Sequence, residues 1–132
     1  GEAYGRDGCR VPLPWEADRP SFGFGPNDNA WLPQPEVFRD YARGRQRGVA
    51  ESTLELYRHA LSLRAELALG TGDFEWLEAL HGVLAFRNRD VRVYINYNSE
   101  TVPLPEGELL LESQPLLNAL EPETTVWMRG ED

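Results

Sequence analysis

The sequence predicts an α+β chain: a loop-rich first part that ends in helices, followed by a small antiparallel β-sandwich. Three observations carry this. Prolines and glycines break every possible period across residues 5–34. A long apolar stretch at helical spacing runs over 52–69. After Gly72 the pattern changes to short runs of β-branched and aromatic residues, punctuated by Pro, Gly and Asn.

The first element in order is the stretch Gly5-Arg6-Asp7-Gly8-Cys9-Arg10-Val11-Pro12-Leu13-Pro14-Trp15. No helix or strand period fits it. Pro12 and Pro14 fix φ and push the preceding residues to extended geometry, while Gly5 and Gly8 open backbone shapes closed to other residues. A rigid loop with paired charges suits a polar ligand, since an arginine can grip a carboxylate or vicinal hydroxyls with its planar fork of donors. It suits equally a purely structural loop closed by an Arg–Asp pair. The next stretch, Glu16–Gln34, continues as loop, with Phe22, Phe24, Trp31 and Leu32 stitched through it; loop aromatics can stack on the apolar face of a sugar ring, but anchoring to the body of the protein is the favoured reading.

Pro35–Gln46 predicts a short helix with Val37, Phe38 and Tyr41 on one face and proline at its first position. Ser52–Leu69 predicts a longer one. Ser52-x-x-Glu55 is a capping box and Gly70 a stop. At 100° per residue, Leu54, Tyr57, Leu61, Ala65 and Ala68 form one apolar strip and Leu56, Ala60, Leu63 and Leu67 a second. Two strips ask for partners on two sides.

The strand signals are Phe74–Leu77, Val83–Arg87, Val91–Ile95, Thr101-Val102, Glu108–Glu112 and Thr124–Met128. The turn Asn88-Arg89-Asp90 joins the second and third. Val91, Val93 and Ile95 alternate with Arg92, Tyr94 and Asn96, which buries one face.

Composition bounds the function. The chain of 132 residues is too short for a complete (β/α)₈ barrel, which needs about 250 residues. Its opening Gly1 reads as part of a longer protein. Twenty-two acidic residues against 13 basic ones give a net charge of −9, so nucleic acid and anionic membrane surfaces are not expected partners. Cys9 is the sole cysteine, so no intrachain disulfide is possible, which fits a reducing, cytoplasmic setting. His59 and His81 lack ligand spacing, so neither a metal nor another cofactor is expected. Asp7, Glu16 and Asp18 cluster in sequence, but acids in loops are usually solvated.

Arg-Asp-x-x-Arg-x-Pro-x-Pro-Trp, here Arg6 to Trp15, resembles the loop after the last barrel strand of α-glucosidases in glycoside hydrolase family thirteen, the α-amylase superfamily. The whole form is similar to that of bacterial, especially actinobacterial, members. Phe22-Gly23-Phe24 and Trp31-Leu32-Pro33-Gln34-Pro35 resemble the family's next segment. Gln46, Ser52-Thr53-Leu54, Leu56-Tyr57-Arg58 and Leu61-x-Leu63-Arg64 resemble its final barrel helix. Val83-Leu84-Ala85-Phe86-Arg87 and Asn96 resemble the opening strands of its C-terminal domain. Val49 departs from the pattern, where the family has an aspartate.

The resemblance implies that residues 1–71 are the last loop and helices of a catalytic barrel and 72–132 a C-terminal antiparallel β domain. It implies an α-glucoside oligosaccharide as substrate. Arg10 matches the arginine that reaches glucose in the innermost subsite, and Arg6 and Asp7 match positions that shape the loop around it. Retaining glycosidases need two carboxyl groups about 5.5 Å apart. In this family these, with a third carboxylate, come from earlier barrel strands, and none of their motifs occurs here. The chain alone is therefore expected to hold no catalytic residue and to be inactive. The helix 52–69 would lie between barrel and β domain, so its second strip would lack cover and drive self-association. A different class of function, a free-standing carbohydrate-binding or structural β module, would use Tyr94, Tyr97 and Trp127 on the sheet.

Overall fold

A computed structural model describes residues 5–130. The chain divides into two compact units between Glu55 and Leu56. The first carries three 3₁₀ turns, Arg6–Arg10, Pro20–Gly23 and Glu36–Arg39, and one turn of α-helix, α1, Arg43–Gln46. The longer helix α2, Thr53–Glu66, crosses the division. The second unit holds five strands: β1 Phe74–Trp76, β2 Val83–Asn88, β3 Val91–Asn96, β4 Glu108–Glu112 and β5 Thr125–Arg129.

In the first unit, hydrogen bonds between loop segments distant in sequence replace regular structure. Ser21 and Phe22 are buried and sit in the left-handed region at φ 47° and 49°. Non-glycine residues reach that region at a cost of about 1–2 kcal/mol each, so neighbours must hold them there. The Ser21 N–H donates to Asp28 Oδ1 at 3.0 Å, and its hydroxyl donates to the Asn27 carbonyl. The Phe22 carbonyl accepts from the Trp15 and Glu16 amides at 2.8 and 2.9 Å.

The single helix expected over Pro35–Gln46 is two pieces broken at Ala42, whose ψ is 137°. Ala42 is fully buried. The next two amides leave the helical ladder: Arg43 N–H donates to the Pro14 carbonyl at 3.1 Å and Gly44 N–H to the Trp15 carbonyl at 2.8 Å. A tertiary contact has overridden local propensity.

Helix α2 lies within its expected bounds, but both ends differ in detail. Ser52 Oγ accepts the Glu55 amide at 3.3 Å, which is half of the capping box. The other half is rewired. The Ser52 N–H donates to the Val49 carbonyl at 3.0 Å, and Glu55 Oε1 accepts the Gly48 N–H at 2.9 Å. Gln46 Oε1 takes the Leu54 amide at 3.0 Å, supplying a cap that the residue pattern did not signal. At the other end Ala68, at φ 52°, makes the left-handed stop, and Gly70 falls in a following 3₁₀ turn, Leu69–Thr71. No α2 side chain is fully buried. The second strip, Leu56, Ala60, Leu63 and Leu67, is half-buried. Tyr57 and Leu61 of the first strip stay 64% and 61% exposed, so the uncovered strip is the first and not the second.

The second unit is one antiparallel sheet in the order β1-β2-β3-β5-β4. The strands thus form a single layer among the described residues, where a sandwich implies two. The opposite layer is formed by the two connections that flank β4, residues 97–107 and 113–124. Leu120, Val126 and Met128 are buried together, packed by Tyr94 of β3, by Val102 and Leu104 before β4 and by Leu116 after it. Prolines at 103, 105 and 115 deprive these connections of ladder donors. The strand expected at Thr101-Val102 is accordingly one isolated bridge, Val102 to Leu120.

Along β3 the alternation holds for Val91 and Val93, then breaks at Asn96, which is fully buried. Its Nδ2 donates to the carbonyls of Glu100, Leu120 and Glu121 at 2.9–3.2 Å, and its Oδ1 accepts from Asn98. A fully bonded buried amide specifies where the two connections around β4 lie on the sheet.

Candidate functional site

The opening loop begins as the 3₁₀ turn Arg6–Arg10 and leaves it extended at Val11, φ −61°, ψ 131°, as the following Pro12 requires. Arg6, Asp7 and Arg10 are all exposed. The turn sets Asp7 and Arg10 three residues apart on one side, with Arg10 Nη1 3.7 Å from Asp7 Oδ1. Their side chains are 64% and 68% exposed, and a pair so long and so wet contributes little to stability. It leaves the flat donor edge of Arg10 available to another acceptor.

Behind the turn the loop is tied down. Pro12 is buried. The side-chain amide of Gln34 donates from Nε2 to the Pro12 carbonyl at 3.0 Å and to the Ser21 carbonyl at 3.1 Å. Pro14 and Trp15 accept the α1 amides described above. The base of the loop is thus fixed at three places, 12, 14 and 15, while its charged tip is free of backbone ties to the rest of the unit among the bonds described.

The acids that cluster in sequence go to different partners. Asp7 meets Arg10. Asp18 binds Arg39 at 2.8 Å and Arg45 at 3.8 Å. The Glu16 carboxylate lies against Gly44, where a side chain's Cβ would come within 2.5 Å of it. They form no carboxylate pair. Arg39 also donates from Nε to Glu36 Oε1 at 2.9 Å and stacks over the Phe22 ring at 5.9 Å. The hydrogen bond and charge of Glu36, helped by Asp18, hold the Arg39 guanidinium above its ordinary range. Beside this network a polar recess of about 290 Å³ opens between Arg19, Asp28, Gln34 and Arg39.

Anchoring by the loop aromatics holds for Phe22 but not for Phe24 or Trp31, which are 58% and 86% exposed. On the sheet, Tyr94 packs into the core and Trp127 is half-buried, leaving Tyr97 exposed. The aromatic group that residue patterning missed is Phe74, Trp76 and Phe86, with ring centroids 4.8–6.0 Å apart. Its members lie on neighbouring strands, and only the β1–β2 register, Trp76 opposite Phe86, reveals the cluster. Among the described residues no group of His, Cys, Asp and Glu could hold a metal ion, and no helix is long and apolar enough to cross a membrane.

No family model matches the chain. A search of curated proteins finds a probable alpha-glucosidase of Rhizobium meliloti (strain 1021), 39% identical over 83 residues, which are 62% of this chain. An α-glucosyl transfer enzyme of known structure, XgtA, superposes over 96% of the chain with a TM-score of 0.72 and 30% identity. The chain matches the C-terminal part of family-thirteen α-glucosidases and α-glucosyl transfer enzymes. A solved family GH13_31 enzyme shares the fold over 93% of the chain, with a TM-score of 0.75 and 20% identity. The chain spans 15% of the curated relative's length and 26% and 24% of the two solved chains.

Proposed function

We propose that the chain is the C-terminal part of an α-glucosidase that hydrolyses terminal α-glucosidic bonds of oligosaccharides by a retaining mechanism. The 39% identity with a probable alpha-glucosidase carries this reading. In it, residues 1–71 supply the last loop and helices of the catalytic barrel and residues 72–132 a C-terminal β domain. Arg10 binds the hydroxyls of the terminal glucose, and Arg6 and Asp7 shape the loop around it. The exposure of Arg10 and its long contact with Asp7 support that role. A bidentate guanidinium on sugar hydroxyls gives orientation as well as energy. The nucleophile and the acid/base come from outside these residues, so the chain alone turns over nothing.

The test is release of the aryl group from an aryl α-glucoside. A protein that joins this chain to a family-thirteen barrel should release it, and the 132-residue chain should match a no-protein control. Turnover by the repurified chain, or none by the longer protein on any α-glucoside, contradicts the proposal. The exposed Tyr57 and Leu61 face of α2 pairs copies of the isolated chain. Light scattering should show dimers that Leu61→Glu dissociates, and a monomer at every concentration refutes the pairing.

A further inference from the structure

We infer that Gln34 is a positioning residue for the Arg10 loop, an inference that rests on the proposed role of Arg10. Gln34 stands between Pro33 and Pro35. Pro35 biases the Gln34 backbone toward extended geometry, and Pro33 fixes its own φ just before. The side chain therefore leaves from a pre-set backbone. Its single amide nitrogen uses both hydrogens. One goes to the Pro12 carbonyl at 3.0 Å, two residues after Arg10, and one to the Ser21 carbonyl at 3.1 Å.

Ser21 is not an ordinary anchor. It and Phe22 hold consecutive left-handed conformations, fixed by Asp28, Asn27 and the Trp15 and Glu16 amides. Strain of this kind persists only where the surroundings over-determine it, and such places collect at functional sites. Gln34 couples that elbow to the base of the Arg10 loop across 22 residues of sequence on one side and 13 on the other.

The contacts made by Gln34 involve backbone carbonyls, so it acts on Arg10 only through the path of residues 10–12. Loss of the amide leaves two carbonyls without that donor and frees the loop base to shift. A displacement near 1 Å of a substrate-orienting group lowers rates by up to about a hundred-fold.

The experiment is a double-mutant cycle in a protein that joins this chain to a family-thirteen barrel, with Gln34→Met, Arg10→Ala and the pair, reading kcat and KM for an aryl α-glucoside beside thermal melting. Gln34→Met keeps the side-chain length and removes both donors. It should lower kcat/KM about ten-fold alone and less than two-fold in the Arg10→Ala background, because its effect passes through Arg10. Gln34→Asn retains a donor amide one methylene short and should fall between. Should Gln34→Met not fold, the Asn variant takes its place in the cycle.

Equal fold-losses in both backgrounds, or a normal kcat/KM in Gln34→Met, overturn the inference, as does failure of both Gln34 variants to fold. A normal kcat/KM in Arg10→Ala instead removes the reading on which it rests, and is told apart because it appears without any change at Gln34.

Discussion

The two units are held by different forces. The sheet unit buries Leu120, Met128, Val91 and Val126 almost completely. Among its described residues the loop unit buries Phe22, but otherwise only small side chains, Ala17, Ser21 and Ala42, along with Pro12. What it lacks in apolar area it replaces with side-chain-to-backbone bonds from Gln34, Asp28, Ser21 and Gln46. Apolar burial is non-directional and yields stability, whereas hydrogen bonds yield little net energy but fix distances and directions. The unit that carries the candidate substrate residues is therefore built for placement, and the sheet unit for stability.

Three substitutions sharpen this contrast, all read by urea unfolding of the 132-residue chain with circular dichroism. Leu120→Ala has the largest expected effect. It empties the centre of the core beneath Val102 and Met128 and should cost about 2–5 kcal/mol. A cost below about 1 kcal/mol would mean the connections around β4 close over the gap and the core is not as described. Asn96→Ala comes next, at about 1–3 kcal/mol, because carbonyls of Leu120 and Glu121 lose a buried donor. A neutral result would show that water replaces it. Asp28→Ala should be smallest, about 0.5–1.5 kcal/mol, through loss of the acceptor for the Ser21 amide. If it matched Leu120→Ala, the loop unit would depend on one tether for its whole stability, and the contrast would fail.

Much of the sheet was legible in the sequence because strand signals are local. Alternating Val91 and Val93, and the turn before them, place β2 and β3 within a residue or two of where they lie. Helix α2 was legible for the same reason, from its periodicity and Ser52. What was not legible depended on distant partners. The break at Ala42 needs the carbonyls of Pro14 and Trp15, and the left-handed Ser21 and Phe22 need Asp28 and Asn27. The covering of the sheet by the connections on either side of β4, in place of a second layer of strands, hangs on Asn96 reaching residues 24 and 25 positions away. At the candidate site, the Arg–Asp motif signalled the loop tip. Gln34 stood in a segment that resembles the family's, but nothing there signalled its role, since a glutamine's partners cannot be read from its neighbours.

The central claim is that the rigid loop presents Arg10 to the terminal glucose, and the most direct measurement is kcat/KM beside thermal stability for Arg10→Ala and Arg10→Lys in a protein that joins this chain to a family-thirteen barrel. Charge-assisted hydrogen bonds contribute about 1.5–3 kcal/mol each, so Arg10→Ala should lower kcat/KM by roughly ten-fold to over a hundred-fold. Its melting temperature should barely move, given the exposed 3.7 Å pair with Asp7. Arg10→Lys should restore little, because a point charge cannot copy the planar fork. A near-normal kcat/KM in Arg10→Ala, or a lysine variant with most of the activity, would contradict the claim and leave the loop with a structural role only.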